Sequence, residues 1–200
     1  MTAARDIEDT RGTYPWQQRV DSGDWSAITA EVNEYGGAVL PRLLTPGEAE
    51  RIRRLYVDDR HFRATINMGR HRFGEGEYRY FKTPYPEPVE RLKQALYPRL
   101  LPIARDWWAK LGRPAPWPDT LDEWLRMCHG AGQVKPTAIL LRYQAGDWNA
   151  LHRDLYGDLV FPLQVVINLS QGSPRLAAGR RTGPPRSAAP RRQPARRRGA

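Results

Sequence analysis

The sequence predicts an α+β chain in which helices come first and strands follow. Two observations predict it. Apolar residues recur at helical spacing from about residue 24 to 130, and from Thr137 they give way to β-branched and alternating runs. A third observation bounds the folded part: after Ser170 the composition collapses to Arg, Pro, Gly and Ala, which make up 24 of the last thirty residues. That segment holds no aromatic residue and cannot bury enough surface to offset its ordering entropy, so 171–200 is expected to be a disordered tail.

Residues 1–23 read as an N-terminal extension with no apolar run of signal-peptide type. Over 24–35, DWSAITAEVNEY places Trp25, Ile28 and Val32 on one face, with Asp24 as N-cap and Gly36-Gly37 as the stop. AVLPRLL is a short extended piece. Thr45, Pro46 and Glu48 then form a capping-box start for a helix expected over 46–58. Residues 63–82 mix extended pieces with glycine turns, and EYRYFKT alternates as a strand should. Leu92, Leu96, Leu100, Ile103, Trp107 and Leu111 line one stripe of a helix over 87–111, expected to be interrupted or kinked at Pro98 and Pro102. TLDEWLRMCHGAG adds another helix, and TAILLRY, WNALHRD and LVFPLQVVINL read as consecutive strands joined by tight turns.

The net charge of +10 resembles a nucleic-acid signal until it is located. Nine of the 32 basic residues lie in the tail, which has no acid, so the first 170 residues set 23 bases against 22 acids. The body of the protein therefore carries no basic bias. The single cysteine, Cys128, excludes an internal disulfide framework, and no run of eighteen apolar residues offers a membrane span, so a cytoplasmic setting is expected.

The chemistry concentrates at NALHRDLYGD. Side chains two apart on a strand share a face, so His152 and Asp154 are expected to project together, and an imidazole with a carboxylate suits non-haem Fe(II). A His-x-Asp triplet is common by chance. Tyr143 and Gly146 lengthen it to Y-x-x-G-x(5)-H-x-D, which is much rarer. Asp147 and Asp158 read as turn residues. His61, His71 and His129 are isolated, Cys128-His129 lacks zinc spacing, and GRHRFGEGE has glycines without the strand-to-helix context of a phosphate loop, so it reads as a substrate-side loop.

The stretch LLRYQAGDWNALHRDLYGDLVFPLQVVINLS resembles the metal-binding hairpin of the 2-oxoglutarate- and Fe(II)-dependent dioxygenases, near the prolyl-hydroxylase-like branch and a bacterial subfamily within it. The likeness extends upstream through GGAVLPRLLTPGEAERIRRLYVDD, HRFGEGEYRYFKTPYPEPV and LYPRLLPIARDWW, covering roughly residues 30–170. It implies a partial double-stranded β-helix, or jelly roll, with the N-terminal helices packed on the sheet, as one dioxygenase-like domain over 24–170. His152 and Asp154 match two of the family's iron ligands. Tyr143 matches the position whose hydroxyl commonly hydrogen-bonds the 2-oxoglutarate carboxylate. The resemblance further implies hydroxylation of a small-molecule or peptide substrate.

The family's distal His and its carboxylate-binding Arg have no counterpart, because no His follows position 152 and the downstream Arg residues lie in the tail. The expectation is therefore an impaired oxygenase whose last thirty residues are an out-of-frame or substituted end. The competing expectation is a non-catalytic remnant that contacts nucleic acid or another polyanion through the Arg-rich tail. No membrane partner is expected.

Overall fold

The computed structural model describes residues 15–71, 74–150 and 159–170, and the described residues up to Leu169 belong to one compact unit. Helices α1 (Pro15–Asp21), α2 (Trp25–Tyr35) and α3 (Pro46–Arg54) precede β1 (Phe62–Asn67), β2 (Gly74–Glu75) and β3 (Glu77–Phe81). Helices α4 (Glu87–Lys110) and α5 (Leu121–Gly130) follow, and then β4 (Ile139–Arg142) and β5 (Trp148–Asn149).

Local capping signals do what their chemistry dictates. Asp24 accepts from the Ala27 N–H, and Gly36 closes α2 in the left-handed region at φ 76°. Thr45 and Glu48 complete a capping box at α3. The helix expected over 46–58 ends at Arg54 and tightens into a 3-10 turn over Leu55–Val57. Thr120 caps α5 by accepting from the Glu123 N–H.

Helix α4 runs unbroken through the two prolines that were expected to interrupt or kink it. Pro98 and Pro102 are four residues apart and both exposed, so the carbonyls they leave without an N–H partner lie on the watered side. Its other faces serve two clusters. Leu92, Ala95 and Leu96 pack with Trp16, Val20, Leu43 and Ile52. Tyr97, Leu101 and Ala104 pack with Trp117, Leu121, Trp124 and Cys128. Helix α1 falls inside the stretch read as an N-terminal extension, yet its Trp16 and Val20 are 6% and 0% exposed.

The sheets are small. Strands β1, β3 and β4 form an antiparallel sheet with β3 in the middle, and β2 pairs antiparallel with β5. No closed barrel is present among the described residues; the architecture is mixed helix and sheet. One sheet face carries Phe62, Phe81 and Leu140, buried with Tyr56, and the Phe62 and Phe81 rings stack at 4.8 Å. Arg79 lies over the Phe62 ring and hydrogen-bonds the Tyr56 carbonyl and Thr65 Oγ1. The other face carries Tyr78 and Tyr80, edge to face at 5.4 Å, with the Arg63 guanidinium over Tyr80.

The reading of LVFPLQVVINL as a strand is corrected: residues 159–170 form no regular element and join no sheet. The alternation is genuine, since Leu159, Phe161 and Leu163 pack against the cluster of α4 and α5, and Ile167 and Leu169 pack against the cluster of α1, α3 and α4. From Leu159 to Ile167 the partners are the helical clusters, and Leu169 also reaches the sheet residues Phe62, Phe81 and Leu140. The Trp117 indole N–H donates to the Val160 carbonyl at 3.0 Å, and Gln133 Nε2 donates to the Leu159 carbonyl. No helix among the described residues is long and apolar enough to cross a membrane.

The N-terminal helices are tied by one buried carboxylate. Glu48, 8% exposed, accepts from Arg19 at 2.6 Å and from the Thr45 N–H at 2.7 Å, while Arg19 also reaches the Leu43 carbonyl. Burial pushes the Glu48 carboxyl up, but Arg19 and the Thr45 N–H outweigh it and hold it below the usual range. Its contribution is therefore full above the unfolded value near pH 4.3 and lost as pH falls through the lowered folded value.

Glu48→Gln is expected to lose about 2–4 kcal/mol in urea unfolding at pH 7, because it leaves Arg19 without its anion, and the gap to wild type should close below about pH 4. Trp117→Phe keeps an aromatic ring and removes the donor to Val160, so a loss of about 1–2 kcal/mol is expected. Trp117→Ala should cost about 3–5 kcal/mol on the same urea measurement.

Candidate functional site

The turn between β4 and β5 carries the described part of the candidate site. Asp147 Oδ2 accepts from the Gln144 N–H at 2.8 Å, and the Asp147 N–H donates to the Gln144 carbonyl at 3.1 Å, closing a tight reversal over Gln144–Asp147. Gly146 sits in it at φ 96°. Asp147 thus serves the turn, as its position in the sequence suggests. The chain leaves through β5, whose Asn149 stands three positions before His152.

His152 and Asp154 lie outside the described residues. Tyr143 is described: it follows β4, is 43% exposed, and rests its ring on Gly76. Burial, and then the Asp147 charge, push its phenol above the ordinary tyrosine value, so it stays a protonated donor through neutral and mildly alkaline pH. Among the described residues no group of three or more His, Cys, Asp or Glu is placed to hold a metal ion. His61 faces Asp58 at 3.5 Å and His129 closes the last turn of α5, so neither stands at the β4–β5 turn. His71 ends the 3-10 turn over Met68–His71. Cys128 is buried in the α4–α5 cluster, and that burial raises its thiol, as befits packing rather than reactivity.

Across the three-stranded sheet, Asn67, Glu77 and Arg142 stand in register. Glu77 accepts from the Tyr56 hydroxyl and from Arg142 at 3.3 Å, and the Arg142 guanidinium lies 4.7 Å from the Tyr56 ring centre. Burial first, and the bond to Glu77 next, push the Tyr56 phenol far up, so it remains the donor. This row forms one wall of an open groove of about 300 Å³, lined also by Gly69, Glu75, Gly76, Gln144 and Asp147. The groove is polar and abuts the Tyr143 turn.

Sequence reading did not single out Glu77, Arg142, Gly74 or Gly76. The GEGE stretch, read as a substrate-side loop, is the surface on which the β4–β5 segment lies, because β2 pairs with β5 and Gly76 meets Tyr143. The signal available in sequence was Gly-x-Gly immediately before an alternating strand.

Residues 76–180, which are 105 of the 200, match a family described as an oxygenase catalysing oxidative methylation of damaged DNA. The match starts at Gly76 itself and runs ten residues past the point where the resemblance read from sequence stops. Two relatives, both named as uncharacterized proteins of Mycobacterium tuberculosis, one from strain CDC 1551 / Oshkosh and one from strain H37Rv, are 71% identical over 90 residues. Those 90 residues are 45% of this chain and 39% of each relative, so the chain spans about two fifths of the length of the curated relatives it matches. No solved structure matches the chain. With more than half its length matched, over a range that includes Gly76, the Tyr143 turn and the His152-Arg153-Asp154 triplet, the chain belongs to this family of oxygenases.

Proposed function

We propose that the protein is a 2-oxoglutarate- and Fe(II)-dependent oxygenase acting on damaged DNA. The observation that carries this reading is the seating of Tyr143 on Gly76 at one arm of a turn whose other arm leads directly to His152 and Asp154. The donor set fits the metal: an imidazole and a carboxylate suit ferrous iron better than a thiolate site would, and Cys128 is buried elsewhere. His152 and Asp154 would hold the iron. When bound, iron and 2-oxoglutarate together supply the oxidising chemistry that hydroxylates a substrate C–H bond. The Tyr143 hydroxyl would donate to a carboxylate of 2-oxoglutarate, a role its raised pKa protects by keeping the proton on. The groove beside Tyr143, with amide, carboxylate and guanidinium groups, would hold the damaged base by its polar edge.

Anaerobic titration of the protein with Fe(II) and 2-oxoglutarate is expected to produce a metal-to-ligand absorption band that His152→Ala and Asp154→Ala abolish. Steady 2-oxoglutarate turnover that survives His152→Ala would sink the assignment. Tyr143→Phe should weaken 2-oxoglutarate roughly tenfold or more, the usual worth of a hydrogen bond to a charged group, with little change in Fe(II) affinity. Succinate formation is expected to rise with a single-stranded oligonucleotide bearing an N-methylated base and not with its undamaged counterpart.

A further inference from the structure

Six glycines among the described residues have φ between about +65° and +133°, and they divide into two groups. At Gly36, Gly112, Gly132 and Gly146 an added Cβ would meet nothing within 4 Å, so those positions need glycine for the backbone turn alone. Gly74 and Gly76 differ. A Cβ at Gly74 would stand 2.1 Å from the Trp148 carbonyl oxygen and 2.9 Å from Asn149 Cα. A Cβ at Gly76 would stand 2.8 and 2.9 Å from Cδ1 and Cε1 of Tyr143, and 3.4 Å from Met68 Sδ. The two glycines flank Glu75 and form a seam that meets the chain from Tyr143 to Asn149.

At Gly76 the obstruction can be relieved in one direction only. The Gly76 carbonyl accepts from the Met68 N–H at 3.0 Å, Met68 is 3% exposed, and the next residue, Glu77, is locked in register with Asn67 and Arg142. The backbone at 76 is thus held from both sides. Tyr143, 43% exposed, is the partner free to yield.

We propose that Gly76 is a positioning residue for the cosubstrate: the missing side chain lets the Tyr143 ring lie flat on the strand and so fixes where its hydroxyl presents its proton. This rests on reading Tyr143 as the donor to 2-oxoglutarate. A methyl group at 76 swings the ring outward and moves the hydroxyl by more than a hydrogen bond tolerates.

The test is a double-mutant cycle of Gly76→Ala and Tyr143→Ala, with Tyr143→Phe as control. Three quantities are measured: the Tyr143 ring resonance, assigned by its loss in Tyr143→Phe; 2-oxoglutarate affinity by anaerobic calorimetry with Fe(II); and urea unfolding. Gly76→Ala is expected to displace the Tyr143 resonance and weaken 2-oxoglutarate roughly tenfold, and to add nothing further in the Tyr143→Ala background. An unmoved resonance, or an equal loss of affinity in that background, overturns the proposal, because backbone strain alone would act whether or not the ring is present. If Gly76→Ala does not fold, recovery of folding in the double variant supports the steric contact, and failure of both overturns it. Should Tyr143→Phe bind 2-oxoglutarate as tightly as wild type, the cosubstrate reading fails by itself, and the ring resonance then decides the Gly76 contact independently.

Discussion

Strand β3 is paired on both edges, and the arrangement of the site follows from that constraint. Its register sets Glu77 between Asn67 and Arg142 and places Arg79 against Thr65 and Leu140. Once Glu77 is fixed, the preceding glycine is fixed too, and with it the floor beneath Tyr143. A strand slipped by one residue would exchange its faces, sending Tyr78 and Tyr80 toward the helices and the charged residues away from Tyr56. The Phe62–Phe81 stack and the Tyr56–Glu77–Arg142 contacts both oppose that slip. They do so by different means, dispersion at one end of the strand and charge at the other.

Helices were legible where their signals are local. Asp24, the Thr45–Glu48 box and Gly36 each act within four residues of where they stand, so a reading of neighbours suffices. Helix α1 was missed because its seven residues offer only Trp16 and Val20 as apolar marks, and their burial depends on α4, some eighty residues away. The run 159–169 shows the opposite failure. Its alternation correctly marks which side chains turn inward, but alternation is silent on whether a helix or a strand receives them. The continuity of α4 through Pro98 and Pro102 was legible only as a conflict between periodicity and proline, which exposure of both rings resolves.

For the site, residue types were legible and their support was not. His152, Asp154 and Tyr143 carry a pattern that chemistry recognises from sequence, whereas Gly76, Glu77 and Arg142 acquire meaning only when strands distant in the chain are brought together. Gly-x-Gly next to an alternating strand is compatible with a turn, a bulge or a close approach. The Tyr143 ring, which would lie 2.8 Å from any Cβ at 76, selects the last of these.

Helix α4 lends its side chains to two clusters at once, Leu92 and Leu96 to one and Tyr97 and Leu101 to the other. Neither cluster retains a complete wall if that helix leaves, so neither can loosen without weakening the other. Heat or denaturant therefore meets one cooperative body over this region, and a defect at Trp16 in the first helix is felt at Cys128 in the fifth.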